Sequence, residues 1–444
     1  MKFEELRTKY NNFIYHGFTI KDDNNTLNVI YDFEIEGLSS FNPSFSIPKS
    51  IITNDNINND ILNLLIFNIG MVEAISYYKI TCSPNLIVKN NHLNEDQKRW
   101  WRKLYFLGLG EFLYRNDITI KEEDLVTINS LGSKIIIDPS KFISNGNIIP
   151  IGGGKDSCVT LELLKGFNNV PFTINAKEVH KQCIKIAGYD NWYNITRNLD
   201  SKMLQLNEQG FLNGHTPFSS LVAFYSYLLA YLTNKKYIVL SNESSANEST
   251  VLGSYVNHQY SKSFEFERDF NNYVNQYIGL DIHYFSLLRP IKEIKIAELF
   301  SKYNKYHYIF KSCNVGSKSL PWKWCGDCPK CLFVFSILSA FLPLDYLSDI
   351  FNKNLFQDEK LLDTFKEILG YTKVKPFECV GECDEVKWAI SKAVRKNENN
   401  LPYLLQYYKD NYPLFSMDLL NTYNEDNLIP DDFLGVVKDM MNND

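Results

Sequence analysis

Over the first 60 residues apolar and polar positions alternate, as in Leu27-Asn28-Val29-Ile30-Tyr31-Asp32-Phe33-Glu34-Ile35. A period of two predicts antiparallel strands with one buried face. Residues 61–82 lose that alternation and predict a mostly buried helix. Residues 98–116 set Trp100, Trp101, Arg102, Lys103, Tyr105, Glu111, Tyr114 and Arg115 around Gly108 and Gly110, the pattern of an amphipathic helix with a charged face. Residues 118–145 predict strands and loops. From 147 onward strand and helix patterns alternate. Strands are predicted at 147–151, 170–175, 193–196, 237–241 and 282–286, and helices at 156–166, 178–187, 217–233 and 291–303. Such alternation predicts an α/β fold, a parallel sheet with right-handed crossovers and ligands at the carboxyl ends of the strands.

The pattern divides the chain into an N-terminal α+β region (1–145), a parallel-sheet domain (146–312), a cysteine-rich knuckle with an apolar helix (313–345) and a C-terminal helical region (346–444). Within the last, Phe377-Glu378-Cys379-Val380-Gly381 is expected to fold back over the site. No repeat of fixed period is present.

Composition narrows the class. The 444 residues are 45% hydrophobic and 22% charged, which is globular, and a net charge of −6 argues against a nucleic-acid partner. The polar start, Met1-Lys2-Phe3-Glu4-Glu5, has no signal-peptide core. The apolar run from Cys331 to Leu344 is shorter than the ~20 residues of a membrane span. A cytoplasmic protein without a membrane span is expected. Nine cysteines, an odd number, do not form a secreted disulfide framework. Nothing in the pattern sets the oligomeric state.

The chemistry centres on Ile148-Ile149-Pro150-Ile151-Gly152-Gly153-Gly154-Lys155-Asp156-Ser157, where a buried strand meets a helix through three glycines. Glycines let backbone N–H groups approach a phosphate, and the helix N-terminus adds its dipole. Lys155 can add charge and Ser157 a hydroxyl, while Asp156 can hold Mg²⁺ or cap the helix. The run is neither a Walker A loop nor G-x-G-x-x-G. It resembles the S-G-G-x-D-S pyrophosphate loop of the ATP pyrophosphatases, with Gly152 in place of the first serine. A plain glycine turn is the alternative. On the same rim the strand-end rule places Asn175 and Ser241-Asn242-Glu243.

Cys325, Cys328 and Cys331 form C-x2-C-x2-C, and Cys313 lies twelve residues upstream. Four thiolates suit a structural tetrahedral Zn²⁺, with an iron–sulfur cluster or redox use as alternatives. Cys379 and Cys383 are further possible ligands. His215, between Gly214 and Thr216-Pro217, is a candidate phosphate ligand or general base, or simply part of a capping loop. Glu243 and Glu248 follow the fourth strand of the parallel region and can bind Mg²⁺ or a substrate ammonium, or move protons. His258, Lys262 and Glu265 fall at i, i+4 and i+7 and would share one face of a helix. A polar loop and a solvated helix face are the plainer readings of these two stretches.

Taken in order, GMVEAISYYK (70–79), RKLYFLGLGEFLYRN (102–116), PIGGGKDS (150–157), LNGHTPFSS (212–220), SNESSANES (241–249), NHQYSKSFEFE (257–267), WCGDCPKCLFVF (324–335) and KPFECVG (375–381) resemble the ATP-dependent UDP-N-acetylmuramoyl-L-alanyl-L-glutamate epimerases of bacterial wall synthesis. The resemblance implies an ATP pyrophosphatase fold and adenylation of the terminal glutamyl carboxylate. Proton abstraction at the α-carbon, reprotonation on the other face and hydrolysis to D-glutamyl product, AMP and pyrophosphate follow from it. It implies Gly152, Gly153, Gly154, Lys155, Asp156 and Ser157 holding ATP with Mg²⁺, supported by Asn175, Ser241 and Asn242. His215, Glu243, Glu248, His258 and Lys262 are the proton-transfer candidates, and Lys103 and Arg115 candidates for substrate carboxylates or phosphates. The phosphate loop and cysteine knuckle also resemble 7-cyano-7-deazaguanine synthase, at those motifs only. A tRNA-thiolation enzyme and an inactive nucleotide sensor are the remaining alternatives.

Overall fold

A computed structural model describes residues 2–251, 253–319 and 322–442. Eleven strands form its sheet: β1 (Asn12–Asp22), β2 (Thr26–Ile35), β3 (Ser39–Phe41), β4 (Ser44–Pro48), β5 (Asn85–Val88), β6 (Thr127–Ser130), β7 (Asn147–Pro150), β8 (Asn169–Ile174), β9 (Tyr193–Asn198), β10 (Tyr237–Leu240) and β11 (His283–Ser286). The order is β11-β10-β7-β8-β9-β4-β2-β1-β5-β6, with β3 added on β2. β7 to β11 pair in parallel, as the alternation predicted. β8 and β9 lie to one side of β7, β10 and β11 to the other, so the order reverses between β7 and β10. At such a reversal the loops leaving adjacent strands diverge and open a crevice at their carboxyl ends.

The N-terminal strands do not form a separate sheet. β4 pairs antiparallel with β9, matching Phe45 with Arg197, so the N-terminal meander extends the parallel sheet. The pairing covers what would be two exposed strand edges. Alternation in β2 buries Leu27, Val29, Tyr31, Phe33 and Ile35 against the helix Asn59–Glu73 and its continuation Ile75–Tyr78. Asn58 caps that helix, accepting from Asp60 N and Ile61 N at 2.8 and 3.1 Å. Together Asn59–Tyr78 span 20 residues, a longer apolar stretch than Cys331 to Leu344 and long enough to cross a membrane. In the fold 94% of its apolar window is buried, the position of a core helix.

Two cores flank the parallel strands. Ile148 and Ile238 face one, with the helices Phe218–Leu232 and Phe264–Tyr277. Ile149 and Val239 face the other, with Lys155–Leu163, Glu178–Ala187, Glu293–Lys302 and Pro329–Ser339. The expected elements lie within a few residues of their predicted limits. The amphipathic stretch 98–116 divides into Glu95–Gly108 and Gly110–Arg115. A Cβ on Gly108 would meet Pro217 Cγ at 2.7 Å, so glycine lets this helix lie against the loop that carries His215.

Candidate functional site

A cavity of about 400 Å³ opens at the carboxyl ends of β7 and β10. Gly152, Gly154, Asp156 and Ser157 form one wall, Ser241, Asn242 and Glu243 another, and Lys262, Lys330, Glu378 and Cys379 close it from loops that follow. Gly154 is the N-cap of Lys155–Leu163, so the free N–H groups of that helix face the cavity side. Gly153 has φ +76°, and a Cβ there would stand 3.0 Å from His180 Cδ2. Both the backbone and the space require glycine. A Cβ on Gly152 would have no heavy atom within 4 Å, so the space beside it is open to the cavity.

Lys155 does not reach into the cavity. It is buried, with Nζ 2.6 Å from Glu293 Oε1 and bonded to Asp156. Burial works against its charge, but the two carboxylates hold it protonated. Glu293 comes from the start of the helix Glu293–Lys302, and burial raises its pKa to about 8 against the pull of Lys155. Its Oε2 is buried without a hydrogen-bond partner. Carboxylate oxygens of Asp156, Glu243 and Glu293 lie within 4.8 Å of one another. Three converging oxygens with one orphaned suit a hard divalent cation such as Mg²⁺. Glu293 had no signal of its own in the sequence. Its only pointer was a helix start just past a strand on the same rim.

The second cluster lies where three distant segments meet. Lys262 Nζ is 3.1 Å from Cys379 Sγ. Its charge is favoured first by the thiolate and opposed by burial. Burial alone would raise the Cys379 thiol, yet Lys262, a hydrogen bond from His258 and the charge of Lys330 bring it down to about 6. Burial likewise opposes a charge on His258, but its bonds to Cys379 and Glu111 raise it to about 9. Burial, and then the charge on His258, lower His215 to about 4. The two rings lie 4.4 Å apart, and His215 Nδ1 is 3.7 Å from Glu111 Oε2. Lys79 fixes the His215 loop by donating to Gly214 O at 2.6 Å.

His258, Lys262 and Glu265 do not share a helix face. Ser263 caps a new helix by accepting from Phe266 N at 3.2 Å, and Tyr260–Lys262 is a separate 3₁₀ turn. Glu265 turns outward to Lys103 at 2.6 Å, and Lys103 also pairs with Asp269 at 2.7 Å. Arg115 pairs with Glu111 at 2.6 Å and stacks over Phe377. Asn175 exchanges hydrogen bonds with the Arg197 backbone at 2.7 Å and does not line the cavity. Glu248 is paired with Lys375, so it anchors the loop that carries Cys379. Ser241 and Asn242 line the cavity as expected, with Asn242 Nδ2 3.2 Å from Ser286 Oγ.

Buried Arg289 ties the Glu243 loop to the Lys262 turn and to the helix that carries Glu267. Its Nη1 donates to Glu243 O at 2.6 Å, and its Nη2 to Lys262 O at 2.5 Å and to Glu267 Oε2 at 2.9 Å. Beneath the cavity the four sulfurs of Cys313, Cys325, Cys328 and Cys331 lie within 4.8 Å of one another, with separations of 3.5 to 3.7 Å among three of the pairs. A tetrahedron of thiolates with Zn–S of ~2.3 Å has edges of about 3.8 Å, so the set fits Zn²⁺. Lys330, inside the knuckle, donates to Cys379 O and joins it to the cavity wall.

Residues 4–287 match the MurL N-terminal domain and residues 309–418 the MurL C-terminal domain. A UDP-N-acetyl-alpha-D-muramoyl-L-alanyl-L-glutamate epimerase of Xanthomonas oryzae pv. oryzae is 32% identical over 337 residues, 74% of each chain. Proteins of the same name from a Micromonospora species and from Salinispora tropica are 34% and 33% identical, over 74% and 72% of this chain and 74% and 71% of theirs. No solved structure matches.

Proposed function

The chain belongs to the MurL epimerase family, an isomerase family, and on that premise we propose that it inverts the terminal glutamyl residue of UDP-N-acetylmuramoyl-L-alanyl-L-glutamate at the expense of ATP. The observation that carries this reading is that one cavity brings together a glycine-rich helix N-terminus, the carboxylates of Asp156 and Glu243 with Glu293 buried beside them, and a lysine–thiol pair. An ordinary α-proton next to a carboxylate is held by the negative charge that its removal would compound. Adenylation removes that charge first. A glutamyl carboxylate oxygen attacks the α-phosphorus of ATP and pyrophosphate leaves. The loop 152–157 and its helix terminus bind the phosphates through backbone N–H groups. Asp156, Glu243 and Glu293 would hold Mg²⁺, which supplies charge neutralisation to the polyphosphate. A base then takes the α-proton, the planar enolate is reprotonated on its other face, and water releases AMP and the D-glutamyl product.

Of the five proton-transfer candidates, Glu243 and Lys262 line the cavity. His258 bonds to Cys379 and Glu111, His215 lies against His258, and Glu248 acts on the loop 375–381. Cys313, Cys325, Cys328 and Cys331 would hold a structural Zn²⁺. Such a chain works in the cytoplasm, where its nucleotide-linked substrate is made.

The test is incubation with Mg-ATP and the UDP-linked dipeptide in D₂O, following pyrophosphate, mass and glutamate chirality. AMP, D-glutamate and a gain of one dalton are expected, because an abstracted proton is replaced from solvent. Pyrophosphate release that requires ammonia and a deazaguanine carboxylate would instead favour the 7-cyano-7-deazaguanine synthase reading.

A further inference from the structure

Cys379 borders the cavity from the segment 375–381, far in sequence from the glycine loop. The segment is held at both ends. Lys375 N donates to Thr250 O at 3.0 Å, and Lys375 Nζ donates to Gly381 O at 2.7 Å and pairs with Glu248. Phe377 lies between Tyr114, 5.4 Å away, and the Arg115 guanidinium at 4.7 Å. A carbonyl bond from Lys330 fixes Cys379 itself. A thiol set this firmly between the Lys262 ammonium and the His258 imidazole is not packing for an apolar core. Cys82, Cys158 and Cys183, by contrast, are fully buried among apolar side chains.

We propose that Cys379 Sγ is the proton-transfer group on one face of the substrate's glutamyl α-carbon, with Lys262 and His258 as positioning residues that keep it ionised. The inference rests on the activated-carboxylate reading above. In the step, the Cα–H bond breaks and an S–H bond forms on Cys379. The C–H electron pair moves into the activated carbonyl as an enolate. A group on the opposite face then delivers a proton to carbon, and the Cys379 proton exchanges with solvent. In the reverse direction the thiol is the donor. A thiolate suits this work because a neighbouring cation brings the thiol down from its ordinary value of about 8.5 toward neutrality. The depressed value of about 6 for Cys379 agrees with that geometry.

Cys379→Ala and Cys379→Ser separate the two halves of the reaction. Both are expected to keep substrate-dependent pyrophosphate release within about threefold of the unaltered protein. Both are expected to lose net epimerisation at least about 100-fold, the scale of a lost general base or acid. Solvent deuterium should fail to enter the α-position from the epimer whose hydrogen faces the sulfur. Entry at the unaltered rate from both the L- and D-glutamyl peptides would overturn the proposal. Matching melting temperatures of the two variants establish folding. Inversion by the unaltered protein without AMP would overturn the adenylate reading, while loss of exchange in the cysteine variants would still support the thiolate. Alkylation of Cys379 by iodoacetamide provides a second readout, and substrate analogue should slow it. A thiol that alkylates at the same rate with the cavity filled would count against contact with substrate.

Discussion

Lys262 Nζ meets Cys379 Sγ at 3.1 Å across 117 positions of sequence. The ammonium and the sulfur come from segments on opposite sides of the cysteine knuckle, and each is fixed by its own backbone contacts, Lys262 through Arg289 and Cys379 through Lys330. The pair is therefore preset before substrate arrives, and its charge state is a property of the fold.

That charge state is measurable. The Cys379 pKa is depressed to about 6 by Lys262, His258 and Lys330 against burial, so the thiolate is present above pH 6 and lost as pH falls through it. Iodoacetamide alkylation of Cys379, followed by peptide mass, is expected to reach half its plateau rate near pH 6. Lys262→Met should move the midpoint up by at least about one unit, toward the ordinary thiol value of about 8.5. An unmoved midpoint would assign the depression to His258 and Lys330 instead.

Glu293 offers a test of the cation site. Its Oε2 is buried and unpartnered, and one of its carboxylate oxygens lies within 4.8 Å of those of Asp156 and Glu243. Glu293→Gln keeps the shape and removes one anionic ligand. The Mg²⁺ concentration for half-maximal pyrophosphate release should rise about tenfold or more, with the cavity otherwise intact. The same concentration dependence in the variant would exclude Glu293 as a ligand.

The four-cysteine set is expected to hold one zinc per chain by elemental analysis, released by a thiol-modifying reagent in step with four sulfurs. Cys328 is the N-cap of the buried helix Pro329–Ser339, and metal binding here is coupled to folding. Cys328→Ser should abolish zinc retention and lower the melting temperature by several degrees. Iron with visible absorbance would point to a cluster instead.

Arg289 and Glu267 are both buried and bonded at 2.9 Å. Arg289→Met strands the carboxylate of Glu267 and should cost about 3–5 kcal/mol in urea unfolding. Adding Glu267→Gln should recover a large part of that loss. Additive losses in the double variant would mean that the two side chains do not act as a pair.

Local periodicity made the parallel strands, the glycine turn into the helix Lys155–Leu163 and the cysteine spacing legible, because each is written within about ten residues. The expected return of 377–381 to the site also corresponds to Glu378 and Cys379 at the cavity. What could not be read was pairing between elements. Lys155 looks like a phosphate ligand in sequence, yet Glu293, 138 positions away, draws it below the loop. Asn175 sits at a strand end as expected, but with φ +51° it turns to the Arg197 backbone. Ser263 divides Glu265 from His258 and Lys262, because its hydroxyl caps the helix that carries Glu265. Arg289 carried no motif at all, and Glu111 was legible only as part of the charged face of 98–116. Their roles arise from the charges that the fold sets opposite them.

The segment bearing Cys379 is made late. When a ribosome has synthesised the chain through Lys330, the parallel strands and the glycine loop are already made, while the sulfur is still 49 residues from being translated. A growing polypeptide can thus carry Gly152, Asp156, Glu243 and Glu293 well before Glu378 and Cys379 exist to close the cavity beside them.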